Sequence, residues 1–370
     1  MSKSDKKIKL SIIGSVGLPA SYGGWETLID NIINYIGNEF DITVFCSSKI
    51  YKKKIYKYKN VKLSYVNLYP NGFQSILYDA ISLYRSNKFA DFTLVLGVSG
   101  AIFIPFIKSN KNKIIINLDG IEWKRSKWGY FTKIFLRISE FFAVKFADSI
   151  ITDNKAISDY ILHRYNRTSS QISYGGDHAK KIILNKNLAK KYKIFKLYAF
   201  KVCRIEPENN IELVLNAFVK TEFPLVIVGN WESSQYGRHL KKIFSGFSNI
   251  NILDSIYDQS ILNQIRSNAF LYIHGHSVGG TNPSLVEAMF LGLPVFAYDV
   301  SFNRHTTQNK CLYFKNEKEL SSLILKTDKN SIYKIGYRMK QIASKKYKWR
   351  KIANQYLRLF NNINANKNLL

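Results

Sequence analysis

Short β-branched runs alternate with helical patterns from one end of the chain to the other, and this alternation narrows the choice of fold more than any other feature. Residues 9–13, 42–46, 61–66, 92–96, 113–118 and 149–152 read as strands. A second series follows at 197–203, 225–228, 250–253, 270–274 and 295–297. Amphipathic segments such as 27–36, 130–146 and 211–218 lie between them. Strands that alternate with helices form parallel sheets covered on both faces. The alternation resets near residues 174–196, a Lys/Asn-rich stretch, and 370 residues are many for a single core. The expected architecture is α/β, with two doubly wound Rossmann-like domains facing a cleft. They span 1–185 and 186–345, and 346–370 forms a C-terminal helix that packs back toward the first.

In such sheets ligands sit beyond the carboxyl ends of the strands. The first strand runs into Gly14-Ser15-Val16-Gly17, which is not the G-x-G-x-x-G of dinucleotide binders, and no Walker lysine follows. An NAD-dependent oxidoreductase and a P-loop enzyme are both disfavoured. What stands there is P-A-S-Y-G-G-W-E-T, with Gly23 and Gly24 ahead of a helix and Glu26 in its first turn. Bare backbone at a helix start suits a phosphate. After the first strand of the second series, C-R-I-E-P-E-N-N places Arg204 at a strand end and Asn209 at the start of a helix, a second anion site. The most specific segment is H-G-H-S-V-G-G-T-N-P-S-L-V-E-A-M-F-L-G-L-P-V, from His274 onward. Its loop aims the N–H groups of Thr281 to Leu285 at a helix N-terminus, a seat for a diphosphate, with Glu287 one turn in where a carboxylate can accept ribose hydroxyls.

G-G-T-N-P-S-L-V-E-A-M-x-x-G-L-P-V-x-A resembles the donor-binding segment of glycosyltransferase family 4, whose members are retaining, two-domain enzymes of the GT-B fold. Together with P-A-S-Y-G-G-W-E-T, D-G-I-E-W-K-R and R-I-E-P-E-N-N, it is similar to a bacterial rhamnosyltransferase subgroup that builds O-antigen, capsule or exopolysaccharide units. The resemblance implies a nucleotide-sugar donor, dTDP-L-rhamnose favoured over a UDP- or GDP-sugar, and a polyprenyl-diphosphate-linked glycan acceptor. It implies donor contacts from Gly23, Gly24, Arg204 and Glu287, and Asn209, His276, Gly280, Thr281, Asn282, Ser284 and Leu285 are expected to complete the donor site. Asp119 would orient acceptor or sugar, with Glu26 and Asn154 as further acceptor contacts, and Asp119, Arg204 and Glu287 form the expected catalytic set. The chain departs from the family pattern at Gly279, where a glutamate is usual, at Asn209, where a lysine is usual, and at Leu118-Asp119, where His-Asp is frequent. No D-x-D occurs, and His274 and His276 lack an evident third ligand, so no metal and no cofactor is expected.

The formal net charge of +29 fits either anionic company or the Lys-, Asn- and Ile-rich composition of an AT-rich gene, and the clustering of the charge favours the first. Residues 49–62 carry seven lysines and no acid, and 124–145 interleave Lys124, Arg125, Lys127, Lys133, Arg137 and Lys145 with aromatic residues. A basic helix with an aromatic side fits an anionic lipid surface. A nucleic-acid-binding protein is the rival from another class, but no helix-turn-helix, RRM or zinc-finger pattern accompanies the charge. The N-terminal apolar run is one strand long, too short for a signal-peptide core. Cys46, Cys203 and Cys311 stand far apart in apolar surroundings, which fits a reducing compartment. The expected place is the cytoplasm, peripheral on the inner face of the cell membrane.

Overall fold

The computed structural model describes residues 7–20, 23–118 and 120–367, and every expected strand run becomes a strand in it. The chain divides into two compact units, one of residues up to Trp123, Trp128–Ser173 and from Trp349 onward, the other of Lys124–Lys127 and Tyr174–Lys348.

The first unit holds β1 (Ile8–Ile13), β2 (Phe40–Ser47), β3 (Lys57–Tyr58), β4 (Val61–Val66), β5 (Phe92–Leu96), β6 (Lys113–Leu118), β7 (Ser149–Thr152) and β8 (Ser170–Gln171). Their order is β3-β4-β2-β1-β5-β6-β7-β8, all parallel except β3. The central strands are β-branched and buried on both faces, as helices on both sides of a parallel sheet require. Part of the lysine run at 49–62 has a structural use. It supplies the short antiparallel edge β3, where lysines discourage a further strand from pairing, and Lys62 pairs with Asp41 at 2.8 Å. The helix Trp349–Lys367 belongs to this unit, with Phe360 against Phe40 and Phe92 and the Tyr356 hydroxyl accepting from Asn117 Nδ2 at 2.7 Å.

The second unit holds β9 (Ala199–Val202), β10 (Leu225–Val228), β11 (Ile250–Leu253), β12 (Leu271–His274), β13 (Val295–Tyr298) and β14 (Leu312–Phe314), all parallel, in the order β11-β10-β9-β12-β13-β14. This is the doubly wound order in which the chain changes direction beside its first strand, so the crevice at the carboxyl ends opens between β9 and β12. The break between the units falls at Ser173, upstream of the expected boundary at 185. The intervening stretch forms no strand, but its hydrogen bonds go to the second unit. Gly176 N–H reaches the Tyr347 carbonyl, Ile182 N–H reaches Ser267 Oγ, and Asn185 N–H reaches Gln264 Oε1.

Candidate functional site

In the first unit the opening loop is built around a buried carboxylate. Glu26 sits in the first turn of the helix Gly24–Ile36, and its Oε1 accepts from Val16 N–H at 2.6 Å. Tyr51 OH donates to the carbonyls of Gly17 and Pro19, and Tyr78 OH to that of Ser15. Gly23, at φ +102°, has the left-handed conformation that favours glycine, and a Cβ there would run into Glu26 Oε2. The glycine is therefore demanded by Glu26, whatever else the loop holds. Glu26 itself, expected as an acceptor contact, is turned inward and closes the loop. Gly24 is the first residue of the helix. Asn154 is likewise engaged inside the unit: buried, it caps the helix Lys155–Tyr165 by accepting from Ala156 N–H at 3.0 Å. Asp119 lies outside the described residues.

Burial pushes Glu26 up to about 7, against the opposing Val16 hydrogen bond. A carboxyl whose folded value is raised binds its proton more tightly in the native state, so the native state loses stability as pH climbs from the ordinary value toward 7. Glu26→Gln keeps an acceptor for Val16 N–H and removes the charge. Its thermal midpoint should fall less steeply between pH 5 and 8 than that of the wild type, the remaining slope coming from groups such as the buried Asp79, also raised to about 8. Parallel curves would show that Glu26 does not titrate in this range.

In the second unit the crevice between β9 and β12 is framed by residues 203–210 and 275–282. Arg204 leaves the end of β9 with its side chain 49% exposed and its Nε 3.8 Å from Glu206 Oε2. Asn209, expected to contact the donor, is buried and turned the other way: its Nδ2 donates to the Arg204 carbonyl at 2.7 Å and fixes the loop that carries the arginine. Glu206 and Glu208 face cations and a hydroxyl. Lys127 lies 3.4 Å from Glu206, Arg125 3.9 Å from Glu208, and Ser126 Oγ donates to Glu208 at 2.6 Å. Among the described residues no three His, Cys, Asp or Glu come together as metal ligands.

The loop after β12 differs from the expectation in one respect. Asn282 caps the helix Pro283–Phe290, its Oδ1 accepting from Ser284 N–H and Oγ, and its carbonyl accepts from Leu285 N–H at 3.1 Å. The amides of Ser284 and Leu285 are therefore already satisfied, because an N-cap side chain uses the first-turn donors that a phosphate would take. Any seat for a diphosphate shifts back toward Gly280 and Thr281, both buried. Gly279 lies at φ +138° with no neighbour where a Cβ would stand. The backbone there strains any side chain, so the glutamate of the family pattern has no place at this turn.

Glu287 meets two residues that the motif does not contain. His178 Nε2 lies 2.7 Å from Oε1, and the Arg266 guanidinium pairs with Oε2. Burial alone would raise this carboxyl, but the Arg266 charge and the His178 hydrogen bond outweigh it and hold it near 2. Arg266 is buried and also donates to Asn263 Oδ1 through Nε and Nη2. Glu287 is thus a fixed carboxylate with both oxygens on protein donors, and any hydroxyl it accepts must use the remaining lone pairs. His276 is buried with its ring stacked on His274, centroids 4.4 Å apart and planes at 11°.

Residues 184–345 match the model of glycosyl transferases group 1, and residues 7–177 match a domain of unknown function, DUF1972. The second unit is therefore a group 1 glycosyltransferase domain, and the chain is a glycosyltransferase of GT-B fold. Among solved structures, sucrose-phosphate synthase from Thermosynechococcus elongatus superposes with a TM-score of 0.80 at 13% identity, over 97% of this chain and 100% of that one. HepE of Anabaena in complex with UDP-glucose superposes with a TM-score of 0.73 at 14% identity, over 96% and 100%. The trehalose-6-phosphate synthase OtsA does so with a TM-score of 0.71 at 11% identity, over 95% and 98%. No curated protein sequence matches the chain.

Proposed function

We propose that the chain is a retaining, metal-independent transferase that moves L-rhamnose from dTDP-L-rhamnose onto a polyprenyl-diphosphate-linked glycan during O-antigen, capsule or exopolysaccharide assembly. The second unit takes the donor and the first takes the acceptor. The observation that carries the donor side is the half-exposed Arg204 at the carboxyl end of β9, next to the strand whose loop leads into the capped helix Pro283–Phe290. A nucleoside diphosphate leaving an anomeric carbon develops charge that a guanidinium fork can meet without a metal. A UDP- or GDP-sugar is the second reading, favoured by the UDP-glucose held in HepE.

A lipid-linked acceptor brings the enzyme to the inner face of the membrane, and the helix Tyr130–Phe146 supports that placement. Tyr130, Phe131, Ile134, Ile138 and Phe141 lie exposed along one side of it, Phe131 at 84%, with Arg137 and Lys145 on the same side. Apolar rings beside cations match an anionic headgroup layer. Among the described residues no helix is long and apolar enough to cross a membrane.

Thermal melting with dTDP, UDP, GDP, NAD⁺ and a short single-stranded DNA tests the reading. A ligand at one hundred times its Kd adds about 2.7 kcal/mol. The midpoint should rise most with dTDP. A response to UDP or GDP alone keeps the activity and replaces the sugar, and a response to DNA alone overturns the reading.

A further inference from the structure

Under the donor loop lies a cluster of buried polar side chains with few hydrogen-bond partners. Lys201 of β9 is fully buried and its Nζ has no partner. His274, at the end of β12, is fully buried with only the Asn303 side chain to meet its ring, and His276 Nδ1 is enclosed and unpartnered. Asn303, on the helix Ser301–Thr307, spends Nδ2 on the carbonyls of His276 and Tyr298 and leaves only Oδ1 toward the His274 ring. The backbone closes over the cluster at Gly275, where a Cβ would sit 2.7 Å from Lys201 Nζ.

Nearly all buried polar groups in folded chains are bonded, so several orphans in one place mark a site that something else completes. The sign of that something follows from the neighbours. The groups that act most on the His276 ring are His274, Lys201, Arg204 and Arg125, and every one of them opposes a positive charge there. Glu206 meets Arg204 only at 3.8 Å, and both it and Glu208 are shared with Arg125, Ser126 and Lys127. Cys203 is half-buried and burial pushes its thiol up. The cluster is thus short of negative charge, at the point where β9 and β12 diverge and ligands enter such sheets.

We propose that His276, backed by His274 and Lys201, is the seat of a phosphate oxygen of the donor, and that its ring takes up a proton as the nucleoside diphosphate arrives. The inference rests on the donor reading above and deepens it. In the free enzyme burial and the surrounding cations hold the ring neutral. An oxyanion beside it reverses that balance, so the proton comes from solvent and returns to it when the nucleotide leaves. Affinity should then fall about tenfold per pH unit between the value at which the ring of the free enzyme titrates and the higher value at which the ring of the complex loses its proton, and level off above it.

Calorimetric titration of the full chain with dTDP, UDP and GDP, in PIPES and in Tris at matched pH, counts the protons. Above pH 7 a terminal phosphate, with its own titration near pH 6, is already ionised and contributes no uptake. The wild type should take up about one proton per nucleotide, and His276→Gln should take up none and bind at least tenfold more weakly. Lys201→Met removes a neighbouring cation, so its uptake should persist to higher pH than in the wild type. This shift can be read even if His276→Gln fails to fold. Nucleotide binding to the wild type with no proton uptake between about pH 7 and 8.5 overturns the inference and leaves the donor reading standing. Failure of all three nucleotides to bind overturns both.

Discussion

Arg266→Ala should lose about 3–5 kcal/mol of stability, the cost of leaving a buried charge without its partner. The guanidinium is buried, pairs with Glu287 and donates twice to Asn263. Truncation therefore leaves Glu287 Oε2 and the Asn263 amide oxygen without their guanidinium, with only His178 remaining on the carboxylate. In a domain of this size each kcal/mol moves the midpoint by roughly 2–4 °C, so a fall of about 10 °C is expected. Two further measurements separate the ion pair from the lost volume. Adding Glu287→Gln to Arg266→Ala should recover part of the loss, because the second change removes the stranded charge. The acid dependence should also weaken. Glu287 is held near 2 in the native state, below its ordinary 4.5, so the pair stabilises the fold above about pH 4.5 and is lost as pH falls toward 2. A single variant within 1 kcal/mol of the wild type would show that Arg266 does not hold Glu287 in solution.

Arg204→Ala should leave the fold intact and lower kcat/KM by about a hundredfold, the scale for losing one preorganised donor to developing charge. Its side chain is half exposed and its one ion pair among the described residues is a loose contact with Glu206, so removing it orphans little. The midpoint of the free protein should be unchanged. Release of the nucleoside diphosphate from the donor chosen by the melting panel provides the assay. Arg204→Lys should recover only part of the rate, since a point charge replaces a planar fork. An alanine variant within threefold of the wild type would remove Arg204 from the reaction.

The residues behind these two expectations were not equally visible in the chain. Arg204 stands in R-I-E-P-E-N-N, directly after an apolar run, and can be found by its position at a strand end. Arg266 and His178 carry no such mark, because they meet Glu287 across 21 and 109 residues of sequence. Asn282 and Asn154 have a legible signal that points to a different role: an asparagine just ahead of an apolar helical run is an N-cap first and a ligand second. Lys201 interrupts the run L-Y-A-F-K-V-C, and a cation in a strand buried on both faces is the trace of the polar cluster beneath the donor loop. The strands β3, β8 and β14 were not legible, since two or three residues are too few to show a period.

Periodicity along the chain was enough to define two doubly wound halves, because a parallel sheet requires unbroken β-branched strands and amphipathic helices between them. The loops that bear the donor motif follow from the same pattern, since they fall where strands end and helices begin. Which atoms those loops leave available is a matter of distances across the fold. Hydrogen bonds and ion pairs act over about 3–4 Å, and no repeat in sequence encodes which residues from different elements come that close. Tertiary contact alone turned Glu26 and Asn209 inward to hold their loops, satisfied the Ser284 and Leu285 amides, and left His276 Nδ1 and Lys201 Nζ enclosed without partners.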